Sequence, residues 1–264
     1  MGRIICIANQ KGGVGKTTTA VNLSAALALA GHTTLLVDLD PQASATSGVG
    51  LRPGDLAVTV YDVLIDGQAV ANAISESQIN LLSVLPSNRE LIGAEIELVP
   101  MLGREYRLAD ALKSIRSSYA YVIVDCPPSL GLLTVNAMTA ADAVLVPLQC
   151  EYYALEGLTA LVDTIERIRQ RLNPALRLEG LLLTMFDTRN SLSHQVALEV
   201  RSHFAADTLT TVIPRNVRLS ESPSHGLPAV IYDPDSRGAQ AYFELARELE
   251  SRERRETVQV LEGG

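Results

Sequence analysis

Asn9-Gln10-Lys11-Gly12-Gly13-Val14-Gly15-Lys16-Thr17-Thr18 is the stretch that decides the fold. The apolar run Ile4-Ile5-Cys6-Ile7-Ala8 leads into it, and an Ala- and Leu-rich segment, 19–30, leads out. Strand, glycine loop and helix in that order build a phosphate cradle. Glycines let the backbone turn its N–H groups inward, and the helix points the positive end of its dipole at the same place. Lys11 to Thr18 (Lys11, Gly12, Gly13, Val14, Gly15, Lys16, Thr17 and Thr18) are therefore the candidate nucleotide contacts. Lys16 is placed to reach the β- and γ-phosphates, and the Thr17 hydroxyl to ligate Mg²⁺. The pattern G-x-x-x-x-G-K-[ST] is met except at its first glycine, where Gln10 stands. A second lysine, Lys11, precedes the glycine pair.

The chain has 264 residues, enough for one large α/β domain with a well-buried core. Its 47% hydrophobic and 20% charged residues read as globular, not disordered. No apolar run approaches the ~18 residues a membrane span needs, and the early first strand leaves no room for a signal peptide. Cys6, Cys126 and Cys150 sit in or beside apolar runs without metal spacing, which predicts buried thiols in a reducing cytoplasm. A formal net charge of -8 excludes a chain coated in basic residues but not a basic patch on one face.

The apolar runs 4–8, 34–37, 121–124, 143–146 and 178–183 are continuous, not alternating. Such runs fit strands buried on both faces. Between them, 19–30, 104–116 and 154–172 carry helical periodicity, and Ala239, Tyr242, Phe243, Ala246 and Leu249 form a further apolar stripe. Strands alternating with helices predict a doubly wound, mostly parallel sheet with helices on both faces, the P-loop NTPase arrangement. Residues 1–250 read as a single domain, and 251–264 as a charged tail that frays.

In a parallel sheet, ligands sit at the carboxyl ends of strands. The second strand ends in Asp38-Leu39-Asp40-Pro41-Gln42, and 121–124 ends in Asp125-Cys126-Pro127-Pro128-Ser129. An aspartate after four apolar residues is what this fold uses near Mg²⁺. One such aspartate alone reads better as a cap or turn former. Three at strand ends, sharing a sheet with a glycine-lysine-threonine loop, converge on one nucleotide site, with Asp38 equally suited to bracing the loop. Ile213-Pro214-Arg215-Asn216-Val217 follows a further short strand. The Pro214 face can stack on a purine and the Asn216 amide bond its edge, but an ordinary turn accounts for the segment equally well.

Lys11-Gly12-Gly13-Val14-Gly15-Lys16-Thr17 resembles the deviant Walker A motif of the ParA/MinD class of ATPases, and Asp38-Leu39-Asp40-Pro41-Gln42 resembles that class's second motif. The stretches 150–157 (Cys150-Glu151-Tyr152-Tyr153-Ala154-Leu155-Glu156-Gly157), 213–221 and Tyr232-Asp233-Pro234 resemble the chromosomal ParA branch known as Soj. The resemblance runs from Arg3 to about Leu249. It implies an ATP- and Mg²⁺-dependent switch for chromosome or plasmid partitioning. Two protomers close as a homodimer on two nucleotides, and Lys11 reaches the partner's phosphates. Catalysis falls to Lys11, Lys16 and Asp40, with Asp40 orienting the attacking water, and Thr17 and Asp125 hold the metal shell. The dimer binds double-stranded DNA without sequence preference through a surface that includes Arg189 and Arg218. A ParB-type centromere-binding protein stimulates the slow hydrolysis. The expected location is cytoplasmic, on the nucleoid, with no stable membrane association.

Rival readings fit less well. A MinD-like membrane ATPase that positions cell division needs a basic amphipathic C-terminal anchor. The segment 252–261 instead mixes charge signs and has no aromatics. An amide ligase or dethiobiotin-type synthetase has no task for Lys11. An iron-protein reductase needs a cysteine companion that Cys126 lacks. A plasmid-type repressor adds an N-terminal helix-turn-helix, whereas this sequence opens in a strand.

Overall fold

The computed structural model describes residues 2–151 and 154–262, with side chains over 2–151 and 157–255. Eight strands form one sheet: β1 Arg3–Ile7, β2 Thr34–Asp38, β3 Ser75–Glu76, β4 Leu82–Leu85, β5 Tyr121–Asp125, β6 Ala143–Gln149, β7 Arg177–Phe186 and β8 Thr208–Pro214. Their order is β3-β4-β2-β5-β1-β6-β7-β8. All neighbours run parallel except the two-residue β3, which is antiparallel to β4.

The continuity of the apolar runs follows from cover on both faces. Side chains alternate across a strand. Ile4, Cys6, Leu35, Val37, Val122 and Val124 enter one core, and Ile5, Ile7, Leu36 and Ile123 enter the other. The helices used below are α1 Lys16–Leu29, α2 Leu91–Glu97, α3 Arg107–Lys113, α4 Leu132–Ala140, α5 Ala154–Arg171, α6 Ser191–His203, α7 Val217–Glu221 and α8 Arg237–Glu262. The second core is closed by α1 (Ala20, Leu23, Leu27) and α8 (Tyr242, Leu245, Leu249). The first is closed by α2 to α6, through residues such as Leu91, Leu108, Leu133, Leu161 and Val200. The sheet is thus the middle of a three-layer α/β structure, covered on both faces and open at its strand ends.

Several boundaries differ from the sequence expectation. Helix α1 begins at Lys16, inside the glycine loop, because Gly15 at φ 89° supplies its cap conformation. The periodic segment 104–116 is helical only over Arg107–Lys113. Strand β4 has no continuous apolar signature because Ser83 interrupts it, and α4 is apolar nearly all round because it is buried. The division expected at residue 250 falls within α8. There the Tyr121 hydroxyl donates to Glu253 at 2.7 Å, and Arg252 donates to the Glu179 carbonyl at 3.2 Å. Tyr152, Tyr153, Gly263 and Gly264 lie outside the described residues.

Ile123, wholly buried in the middle of β5, tests the central layer. Ile123→Ala is expected to cost about 2–5 kcal/mol, from lost burial plus the cavity left behind, measured by urea unfolding.

Candidate functional site

The site forms where β1, β2 and β5 end side by side. Ile7 and Asp38 both stand opposite Asp125 in register, so the glycine loop and two carboxylates share one strand-end layer. Gly13 and Gly15 adopt φ 74° and 89°, left-handed values that turn the loop around its own amides. The loop is fixed from both sides. The Thr184 hydroxyl, on β7, donates to the Val14 carbonyl at 2.9 Å. Asn9 accepts from the Lys11 amide at 3.0 Å and donates to the Pro147 carbonyl at 2.8 Å. Gln10, in place of the usual glycine, donates to the Gly157 carbonyl at 3.2 Å.

The two loop lysines have opposite surroundings. Lys16 is buried and its ammonium donates to the Lys11 carbonyl at 2.9 Å, spanning the loop. Burial lowers its pKa, and the charges of Asp125, Cys126 and Asp40 oppose that shift. Lys11 is 43% exposed and pairs with Glu151 at 2.7 Å, outside the loop. Gly12 beside it stands in open space: an added Cβ would meet only the Pro128 Cβ, at 4.0 Å.

The three aspartates are not equivalent. Asp38 is a brace. It accepts from the Asp40 amide at 3.1 Å and from the Thr46 amide and hydroxyl at 2.8 and 2.7 Å. Burial still raises its pKa to about 6 against these donors. Asp40 accepts from the Gln42 amide at 2.9 Å through Oδ1, while its carbonyl accepts from the Ser87 hydroxyl at 2.8 Å. Asp125 is wholly buried, and neither carboxylate oxygen has a hydrogen-bond partner among the described residues. Its pKa is raised well above the usual carboxylate range by burial and then by the Asp38 charge. The Thr17 hydroxyl acts in the opposite direction from nearby, short of hydrogen-bond geometry. A dry, unpaired carboxylate next to a hydroxyl is an oxygen donor set suited to a hard divalent cation.

Beside the loop lies a cavity of about 280 Å³, lined by Gly15, Thr18, Met185, Pro214, Asn216 and Tyr242 among others. Pro214 and Asn216, ambiguous in sequence, thus open onto the same space as the glycine loop. Asn216 also caps α7, its Oδ1 accepting from the Arg218 amide at 2.9 Å, so its NH₂ is the group left to read a ligand edge.

A family model described as an AAA domain matches residues 2–178. The sporulation initiation inhibitor protein Soj of Bacillus subtilis (strain 168) is 55% identical over 249 residues, covering 94% of this chain and 98% of Soj. The chromosome partitioning protein ParA of Caulobacter vibrioides (strain NA1000 / CB15N) is 56% identical over 254 residues, covering 96% of this chain and 95% of ParA. The chain belongs to the Soj/ParA branch of this AAA-domain family. Among solved structures, cobyrinic acid a,c-diamide synthase from Mycobacterium smegmatis, with bound ATP analog and magnesium, superposes with a TM-score of 0.83 at 40% identity. That alignment covers 94% of this chain and 93% of the synthase chain.

Arg189 and Arg218 stand apart from the loop, and both are engaged. Arg189, in the turn after β7, binds Asp187 through Nε and Nη2 at 3.1 and 3.0 Å. Arg218, on α7, pairs with Glu221 at 2.7 Å and Asp233 at 3.0 Å. Asp187 is held down at about 2, mostly by its bond to the Arg189 side chain and slightly by the charge of Arg215. Exposed pairs of this kind hold their partners weakly.

Sequence reasoning missed Thr184, Met185, Tyr242 and Glu151 as parts of the site. Met185 sits at φ 50°, a strained value at the cavity wall, and the Tyr242 hydroxyl lies 3.2 Å from that of Thr19. Each reaches the loop across a long sequence separation, which no local pattern records.

The buried carboxylate gives a pH signature. A raised folded-state pKa contributes stability below the unfolded value and loses it as pH climbs through the folded value. Asp125→Asn keeps the shape and removes that loss. In EDTA, the melting temperature of the variant relative to the parent is expected to rise between about pH 4 and 7. Thermal melts across this range check it; a constant difference contradicts an ionisable, unpaired Asp125.

Proposed function

We propose that the chain is an ATP-dependent switch for partitioning chromosomes or plasmids, whose nucleotide site is completed by a second copy of itself. The observation that carries this reading is Lys11. It lies at the loop mouth, half-exposed, with its ammonium on Glu151, while Lys16 alone occupies the loop interior. A self-contained nucleotide site has no task for such a lysine. A site shared between two protomers does: the lysine adds positive charge to the partner's phosphates only after closure, so hydrolysis and assembly become one event.

The other residues take roles that suit their surroundings. The amides of residues 12–18 and the start of α1 receive the phosphates, with Lys16 at their centre. Thr17 and Asp125 fit a magnesium ion, which when bound neutralises phosphate charge. Asp40 keeps Oδ2 without a partner among the described residues and is the group to orient a water for attack. Pro214 and Asn216 hold the base in the adjoining cavity. Open space at Gly12 lets a second backbone approach. Arg189 and Arg218 would exchange their carboxylates for DNA phosphates, an exchange that salt weakens. A ParB-type partner would stimulate turnover, and the working location is the nucleoid. No described helix is long and apolar enough to cross a membrane.

The likeness to an amidating synthase supports nucleotide and magnesium binding by this fold. The relatives above half identity over nearly their full lengths support the partition role in its place.

Steady-state ATPase activity, with and without plasmid DNA and a ParB-type N-terminal peptide, tests the whole reading. Slow basal turnover and joint stimulation are expected, with the DNA-dependent part lost in Arg189→Glu/Arg218→Glu. Absence of ATP hydrolysis under every condition would overturn the proposal. Gly12→Val tests the shared site: its side chain fits the open space of one protomer, so ATP affinity should stay within about threefold, roughly 0.6 kcal/mol. Size-exclusion chromatography with ATP should show no dimer, and a dimer fraction equal to the parent's refutes the role of Gly12.

A further inference from the structure

The segment after β4 turns apolar side chains outward. Leu91 and Ala94 on α2, and Leu98 just past its end, face the core and are wholly buried. Ile92, Ile96 and Val99 recur at the i, i+4, i+7 spacing of a second face and are 64%, 75% and 52% exposed; Leu102, on the turn that follows, is 98% exposed. Four of the nine exposed large hydrophobics among the described residues thus fall within this one short stretch. Hydrogen bonds from the Leu98, Val99 and Met101 amides to the Ala94, Ile96 and Leu98 carbonyls, at 3.0 to 3.1 Å, carry the helical path past the end of α2. From Ile92 to Val99 the stripe is about 10 Å long by helix rise, and Leu102 extends it. Large apolar patches left in water mark interaction sites.

Carboxylates border the stripe. Glu97 is exposed at the end of α2 and Glu90 at its N-cap, and exposed Asp66 is near enough for its charge to act on Tyr61, the partner of Glu97. The Tyr61 hydroxyl, which donates to Glu97 at 2.7 Å, is pushed up to about 12 by that bond, with further contributions from the charges of Asp66 and Glu90. On the basic side, Arg89 is exposed on the preceding turn. Arg104 is occupied, donating to the Val99 carbonyl at 2.6 Å and to Glu105 at 2.9 Å. The stripe is also mechanically tied to the loop after β5. Glu95, on the same helix, accepts from the Leu132 amide at 2.8 Å and so caps α4, whose leading loop carries Pro128 beside Gly12.

We infer that this stripe is the docking surface for a basic amphipathic helix from a partner protein. Its apolar face would cover Ile92, Ile96, Val99 and Leu102, and its cations would meet Glu90, Glu97 and Asp66. A second copy of this chain is a poorer occupant. With a formal net charge of -8, a second copy is less suited to meet an acidic border than a cationic helix is. The inference deepens the partner element of the proposed function, and it rests on that reading for the partner's identity, not for the surface. Through Glu95 and α4, an occupant here would bear on the loop that faces Gly12.

The test uses the full chain and a fluorescent synthetic peptide of about five helical turns with leucine on one face and lysine on the other. A leucine/glutamate peptide of the same pattern is the control. Anisotropy without nucleotide should show binding of the lysine peptide to the parent, weakening as salt rises. The control peptide should not bind. Ile92→Ser/Ile96→Ser should weaken binding by about tenfold or more. Both positions are exposed, so the variant should melt like the parent and keep its ATP-dependent dimer. Equal affinity of parent and variant for the lysine peptide overturns the inference, as does equal binding of the glutamate peptide. Loss of the ATP-dependent dimer in the variant also overturns it, assigning the stripe to contact between copies. Binding is scored without ATP, so failure of the partition reading, seen as a parent that hydrolyses no ATP, remains distinguishable from failure of the docking surface.

Discussion

Asp125 sets the terms for the rest of the site. A carboxylate that is fully buried with neither oxygen hydrogen-bonded costs several kcal/mol if charged, and the pair it forms with Asp38 across the β2–β5 register raises that cost. The Thr17 hydroxyl and the Lys16 charge offset only part of it. Thr46 satisfies Asp38 and the Gln42 amide satisfies one oxygen of Asp40, while Asp125 is left to whatever cation the loop admits. Lys16, itself pushed down by burial, acts on Asp125 by its charge, while its ammonium donates to the Lys11 carbonyl. Burial thus disfavours the charged form of both Asp38 and Asp125 at the strand ends, and a bound magnesium ion would favour ionised Asp125 by supplying a cation beside it.

The same strand-end layer explains why the loop is so heavily tied. Thr184 fixes its middle to β7, and Asn9, Gln10 and Lys11 fix its start to Pro147 on β6, Gly157 on α5 and Glu151 between them. A standard glycine at position 10 would have no side chain to make the second of these contacts. Glutamine here adds a point of attachment, the bond to the Gly157 carbonyl. The start of the loop is thus tied to Pro147, Glu151 and Gly157, and the direction of Lys11 depends on Glu151 as much as on the loop.

How much of this was legible in the sequence follows from the range of each interaction. The central strands were legible because burial on both faces leaves a continuous apolar run, as in Ile4 to Ala8 and Tyr121 to Val124. The loop and its aspartates were legible because strand, turn and helix follow one another within a few residues. Pro214 and Asn216 were ambiguous in isolation, and only their common cavity with Gly15 and Thr18 separates a ligand wall from a turn. Strand β4 and helix α2 were not read, because Ser83 breaks one pattern and the exposed Ile92 and Ile96 blur the other. Thr184, Tyr242 and Glu151 act from more than a hundred residues away, through topology that no local spacing encodes.

The ion pair between Lys11 and Glu151 bears on how such a switch could be held open. At 2.7 Å with both groups about half-exposed, it is a weak bond by itself, of the order of 0–1 kcal/mol. Its oxygens are nonetheless shared: Gln149 donates to Oε1 while Lys11 takes Oε2, so the carboxylate is oriented before the lysine arrives. A lysine bound for a partner's phosphate must first leave this carboxylate, and the exchange trades an exposed contact for one buried at an interface. The weakness of the pair makes that exchange possible, and its orientation gives the lysine a defined place in the single protomer. A stronger hold would oppose closure. A free lysine would be a solvated charge with a larger conformational entropy to lose, and the observed contact lies between these limits.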